Sequence, residues 1–169
     1  VAYPDPTFGM VPVFGRMNAL DPVAVPLLAE FALDADALLA ARAGATYLCR
    51  PNNPTGTQFE RAAVERVSQE AAGVVLIDEA YADFAGDDFV QAAVASDRTL
   101  VLRTFSKAYG LAGLRVGYAI GPARLIAEVE KSRGPYKVGG VAQAAALAAL
   151  RDREWVAGRI AEVRANRTR

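Results

Sequence analysis

Thr99-Leu-Val-Leu-Arg-Thr-Phe-Ser-Lys107-Ala-Tyr-Gly-Leu-Ala-Gly-Leu-Arg115-Val-Gly-Tyr-Ala-Ile120 reads as an apolar strand, a glycine-punctuated loop and a second apolar strand. Lys107 stands in the loop between hydroxyl side chains (Thr104, Ser106) and a turn that ends in Arg115. Only three of the 19 basic residues are lysines, so a lysine at this place is not a matter of bulk composition. An amine held at a strand end beside hydroxyls and a guanidinium has what imine chemistry with a phosphorylated aldehyde requires.

Outward from this stretch, strand-like and helix-like segments alternate. Pro22 to Pro26, Ala45 to Cys49, Val74 to Ile77, Thr99 to Leu102 and Val116 to Ile120 read as strands. Helical spacing runs over Gly9 to Asn18, Asp34 to Arg42, Phe59 to Ala72, Pro122 to Lys131, Gly140 to Leu150 and Asp152 to Arg167. Pro4-Asp-Pro6 reads as a turn. The alternation predicts an α/β fold, three layers (α/β/α) around a mostly parallel sheet. Val74-Val-Leu-Ile77 is continuously apolar, as a strand covered on both faces should be.

In open α/β sheets, ligands bind outside the carboxyl ends of the strands. Asn53 follows one predicted strand, Asp78 ends the next and Lys107 follows the third. Three strand ends therefore deliver an amide, a carboxylate and an amine to one rim. Alone, each has a plainer explanation. A strand-end Asp is commonly a turn residue, Asn-Pro-Thr-Gly is an ordinary turn, and Arg115 suits a solvated surface.

Composition bounds the alternatives. With 53% hydrophobic residues in 169, the chain supports one domain with its own core. Nineteen acidic residues balance nineteen basic ones, which leaves no electrostatic footprint for nucleic acid or a membrane surface. No histidine and one cysteine, Cys49, argue against a disulfide framework and a soft metal site. No apolar run reaches the ~18 residues of a membrane span, and no leader sequence is visible. A cytoplasmic setting is expected. The chain opens without methionine and stops inside a charged helical pattern, so a fragment of a longer protein is expected.

The motifs together resemble the class I/II aminotransferases of fold type I, and among them the histidinol-phosphate aminotransferase group. The matching segments are Pro6-Thr-Phe-Gly-Met10, Pro51-Asn-Asn-Pro-Thr-Gly56, Ile77-Asp-Glu-Ala-Tyr81, Arg103-Thr-Phe-Ser-Lys107 with Gly110-Leu-Ala-Gly-Leu-Arg115, and Gly134-Pro-Tyr-Lys-Val138. They run in family order across nearly the whole chain.

The resemblance implies pyridoxal 5'-phosphate (PLP) as cofactor and a site made of Phe8, Asn53, Asp78, Tyr81, Thr104, Ser106, Lys107 and Arg115. Lys107 is then the Schiff-base lysine and Asp78 the partner of the pyridine nitrogen. Asn53 and Tyr81 bond the ring oxygen. Thr104, Ser106 and Arg115 hold the phosphate. Phe8 stacks on the ring face, although an aromatic at this spacing equally suits a core position. No metal is implied. Similar loops often carry a cis bond at the position of Asn53-Pro54.

The implied reaction moves an amino group from L-histidinol phosphate to 2-oxoglutarate, yielding imidazole acetol phosphate and L-glutamate. Its partners are a small amino donor and a 2-oxo acid, in a homodimer, with neither nucleic acid nor membrane. An aromatic aminotransferase, a threonine-phosphate decarboxylase and the PLP-sensing part of a transcription regulator share the same core. On this resemblance, residues 1–169 form the PLP-binding large domain. The N-terminal phosphate loop and the C-terminal small domain with its carboxylate-binding arginine lie outside them. These residues alone are then expected to be inactive.

Overall fold

The computed structural model describes residues 1–167. Six strands form one sheet: β1 (Ala2–Asp5), β2 (Val23–Pro26), β3 (Ala45–Cys49), β4 (Val74–Asp78), β5 (Thr99–Thr104) and β6 (Gly117–Ile120). Their order is β2-β1-β3-β4-β5-β6. β2, β1, β3, β4 and β5 run parallel to one another, and β6 returns antiparallel to β5. The helices are α1 (Met10–Met17), α2 (Ala35–Ala40), α3 (Arg61–Glu70), α4 (Ala82–Ala85), α5 (Val90–Ala95), α6 (Ala123–Lys131), α7 (Gly140–Arg151) and α8 (Arg153–Arg167).

Side chains alternate across a strand, so each strand feeds two cores. Leu48, Val75, Ile77 and Val101 join Leu38 of α2, Val64 and Val67 of α3, and Ala93 of α5 in the main core. Tyr47 and Cys49 point the other way, into a smaller cluster with Tyr3 and Val11 of α1. A third cluster gathers Phe105 and Val116 with Ala142 and Ala146 of α7. The two faces are thus covered unequally. Val75 and Ile77 are fully buried whereas Leu76 is only half-buried. The continuous apolar run of β4 overstated how deeply its second face is covered.

The sequence expectation of a turn over Pro4 to Pro6 is corrected here: residues 2–5 form β1, inside the sheet between β2 and β3. Proline lacks the ladder donor, so Pro4 argued against a central strand. The structure accommodates it because β1 pairs with β2 over its whole length but meets β3 only at Ala2↔Thr46, before Pro4 is reached.

Local chemistry explains the element ends. The Asp34 carboxylate accepts the Ala37 N–H at 2.9 Å and caps α2. Asp5-Pro6, Arg50-Pro51 and Asn53-Pro54 are cis. At the amino end of β4, Gly73 passes so close to Gly44 that an added Cβ would lie 2.0 Å from the Gly44 carbonyl oxygen. That contact is backbone against backbone and cannot be relieved by a rotamer change. Gly73→Ala should therefore lower stability by about 1–3 kcal/mol, the usual range for overpacking. An unchanged urea midpoint would show that β3 and β4 can separate there without loss.

The chain order β1, β2 on one side and β3 on the other puts a topological switch between β1 and β3. A crevice opens at such a point, outside the carboxyl ends.

Candidate active site

The segments that leave β1, β3, β4 and β5 at their carboxyl ends meet around a cleft of about 390 Å³. Phe8, Asn53, Asp78, Tyr81, Thr104, Ser106, Lys107 and Arg115 all line it. The eight candidates from the sequence are thus brought to one place. The volume lies within the range of small-molecule and cofactor sites.

Asp78 ends β4, opposite Cys49 of β3 on one side and Leu102 of β5 on the other. Its Oδ1 accepts the Ala80 N–H at 2.9 Å, and its Oδ2 accepts the Tyr47 hydroxyl at 2.6 Å. A carboxylate offers about four lone-pair positions, so acceptor capacity remains toward the cleft. Burial, followed by the charge of Asp78, pushes the Tyr47 phenol far above its ordinary value. Burial and then Asp78 also push the Cys49 thiol up to about 11. Cys49 lines the cleft as a neutral thiol, which is a poor nucleophile.

Lys107 is placed by its neighbours. Phe105 turns inward and packs with tilted rings against Tyr109, centroids 4.9 Å apart, and Tyr118, 5.7 Å apart. This anchors the chain and leaves Ser106 and Lys107 to face outward. The Thr104 hydroxyl accepts the Ser106 N–H at 3.1 Å. The Gly110 N–H then returns to the Lys107 carbonyl at 3.0 Å, with Gly110 at φ 67°. That turn needs a left-handed residue, which glycine supplies. The Lys107 ammonium lies 5.2 Å from the centre of the Tyr81 ring. Arg115 also has a left-handed backbone, φ 54°, and its guanidinium donates to the Ala112 carbonyl at 2.9 Å. Backbone strain of this kind clusters where a side chain must be aimed.

A family model described as aminotransferase class I and II matches residues 1–169. The chain belongs to the class I and II aminotransferases. Among similar class I and II aminotransferases, the histidinol-phosphate aminotransferase of Paracidovorax citrulli is 46% identical over 98% of this chain and 48% of its own length. An aromatic amino acid aminotransferase of Corynebacterium glutamicum is 41% identical over 96% of this chain and 50% of its own length. The solved histidinol-phosphate aminotransferase of Sinorhizobium meliloti, in complex with pyridoxal-5'-phosphate, superposes with a TM-score of 0.92. It is 26% identical and covers 99% of this chain and 48% of that one. The chain thus spans about half the length of the relatives it matches.

Two residues that support the cleft from behind its lining escaped sequence reasoning. Tyr47 reads as an ordinary strand aromatic, and only the β3–β4 register brings its hydroxyl to Asp78. Asn52 stands beside the more obvious Asn53 but is the buried one of the pair. Its amide donates to the Pro6 carbonyl at 3.0 Å and to Thr55 at 2.9 Å, and its oxygen accepts the Thr7 hydroxyl at 2.8 Å. Asn52 thereby ties the segment after β1, which carries Phe8, to the loop after β3, which carries Asn53. Phe8 is 38% exposed, so it is not a core residue.

Asn53, Tyr81, Ser106 and Lys107 also face a wider groove of about 1010 Å³, whose far wall is α8 with Arg164 and Arg167. Lys107 stands at the junction of the two spaces.

Proposed function

We propose that the cleft binds pyridoxal 5'-phosphate. We further propose that the protein carrying this chain transfers the amino group of L-histidinol phosphate to 2-oxoglutarate, giving imidazole acetol phosphate and L-glutamate. The observation that carries this reading is the shared cleft: one primary amine, one carboxylate and a hydroxyl–guanidinium group around about 390 Å³. When bound, the cofactor supplies an aldehyde that an amine can condense with and a ring that accepts an electron pair from the substrate carbon.

The residues fit that group. Asp78 would hold the ring nitrogen in its protonated form, as an anion beside a pyridine does. Asn53 and Tyr81 would orient the ring through its phenolic oxygen. Thr104, Ser106 and Arg115 would bind the phosphate, the guanidinium with its planar fork of donors. Phe8 would cover one ring face. The Lys107 amine, once free, is the group that takes a proton from the substrate carbon and returns it.

Asp78→Ala should leave covalent capture by Lys107 possible and slow turnover about 10³-fold. This is the scale for removing one preorganised electrostatic contact. Stopped-flow measurement of the half-reaction checks it, and near-normal turnover would remove the role given to Asp78.

A second reading, an aromatic amino acid donor, is supported by the 41% identity to the Corynebacterium enzyme. A panel comparing L-histidinol phosphate with L-phenylalanine and L-tyrosine separates the two. Clear preference for an aromatic donor would overturn the first reading. The groups that select the donor are proposed to lie partly outside these residues. A homodimer is proposed as well, supported by apolar side chains that α1 leaves exposed, Phe14 and Met17 among them. No helix among the described residues is long and apolar enough to cross a membrane.

A further inference from the structure

Tyr47 belongs to β3, two residues before Cys49, whose partner across the ladder is Asp78. It is 7% exposed, among Tyr3, Val11 and Cys49. A phenylalanine would fill the same apolar space, so packing does not explain the hydroxyl. A buried hydroxyl needs a partner, and backbone carbonyls are the usual choice. This one bonds Asp78 Oδ2 at 2.6 Å instead, a short charge-assisted contact.

The geometry points to Tyr47 as the positioning residue for Asp78: its hydroxyl, with the Ala80 N–H, fixes the plane of the carboxylate that would face the ring nitrogen. This rests on the reading of the cleft as a pyridoxal phosphate site. Two donors from different elements bind the two oxygens, Ala80 from the turn after β4 and Tyr47 from β3. Rotation of the carboxyl group would break one bond or both. Because burial and the Asp78 charge hold the phenol protonated, the direction of the bond is fixed and the phenol is always the donor. A carboxylate held toward a pyridine nitrogen would keep that nitrogen protonated. Without Tyr47, the carboxylate gains a rotation, and its oxygen is no longer held toward the place the protonated ring nitrogen would take. Tyr47 itself does not line the cleft and need touch neither cofactor nor substrate.

The test uses the intact protein loaded with pyridoxal phosphate labelled with ¹⁵N in the ring. In the wild type, the ring-nitrogen resonance should report the protonated form. In Tyr47→Phe it should move toward the unprotonated form, and pyridoxal phosphate should bind about tenfold more weakly, on the scale of one hydrogen bond to a charged group. Tyr3→Phe, a change in the same apolar cluster, should alter neither. In an Asp78→Asn background, Tyr47→Phe should have no further effect on affinity, since the two substitutions remove one interaction. An unmoved resonance with wild-type affinity in Tyr47→Phe would overturn the inference and leave the proposed function standing. So would an equal loss in Tyr3→Phe. Failure of the wild type to bind pyridoxal phosphate would instead remove the proposed function, and the inference with it.

Discussion

Lys107→Ala should abolish transamination, with a loss of at least about 10⁴-fold. The substitution removes both the covalent anchor for the aldehyde and the general base, and the second alone is worth about 10²–10⁴. Lys107→Arg should fail equally, because a guanidinium keeps its charge and cannot condense with a carbonyl. The chain offers few ways to be wrong, since it holds only three lysines. Lys131 lies on α6, paired with Glu128 at 2.6 Å. Lys137 donates to the Ser132 carbonyl at 3.4 Å. Neither lines the cleft. Borohydride reduction of the loaded intact protein, followed by peptide mapping, should place pyridoxal phosphate on Lys107. A label on Lys131 or Lys137 would overturn the assignment.

The confluence of Asn53, Asp78 and Lys107 was legible because it follows from a general property of parallel sheets, and the other five candidates were legible through the family resemblance. Strand ends that share a direction share a rim. It was enough to locate the ends of β3, β4 and β5 by their apolar runs. Lys107, Asp78 and Asn53 then had to converge. The loop around Lys107 was legible for a related reason, since the glycines at 110 and 113 mark a turn between two apolar strands.

Register was not legible, and with it went Tyr47. Apolar periodicity tells which residues share a face of one strand. It does not tell which residue of the next strand lies opposite. Only the pairing Cys49↔Asp78 brings a hydroxyl two residues earlier within 2.6 Å of the carboxylate. β1 was lost for a different reason. Pro4 and Pro6 carry a strong local signal for a turn, and the tertiary pairing with β2 outweighs it. Asn52 and Asn53 are the same residue type in the same loop. What separates their roles is that Pro6 and Thr7 come within reach of only one of them, a fact of tertiary structure.

The ion pair beneath the site was equally invisible, and it leads to the second large effect. Glu79→Ala should lower stability by about 3–5 kcal/mol, the range for removing one partner of a buried ion pair. Glu79 follows Asp78, yet it is 1% exposed. Its Oε1 accepts the Phe89 N–H at 2.6 Å, and its Oε2 accepts Arg103 Nε at 2.8 Å. Arg103 is the neighbour of Thr104. The pair therefore links the ends of β4 and β5 where Asp78 and Thr104 turn toward the cleft. Removing Glu79 strands a mostly buried guanidinium, with Asp88 at 3.2 Å and Asp83 at 3.6 Å as remaining partners, and leaves the Phe89 N–H without its acceptor. Against a typical total of about 5–15 kcal/mol, that loss is large. Arg103→Leu should behave differently with pH. Burial already raises the Glu79 carboxyl above its ordinary value, while the Phe89 N–H and Arg103 oppose the shift. Without Arg103 the shift grows. The native state then binds the proton more tightly than the unfolded chain, so stability falls as pH rises through the raised value. Urea midpoints should show Arg103→Leu more destabilised at pH 8 than at pH 5. A loss independent of pH would mean that Glu79 escapes to solvent once Arg103 is gone, and the pair would then not be the clasp that holds the two strand ends.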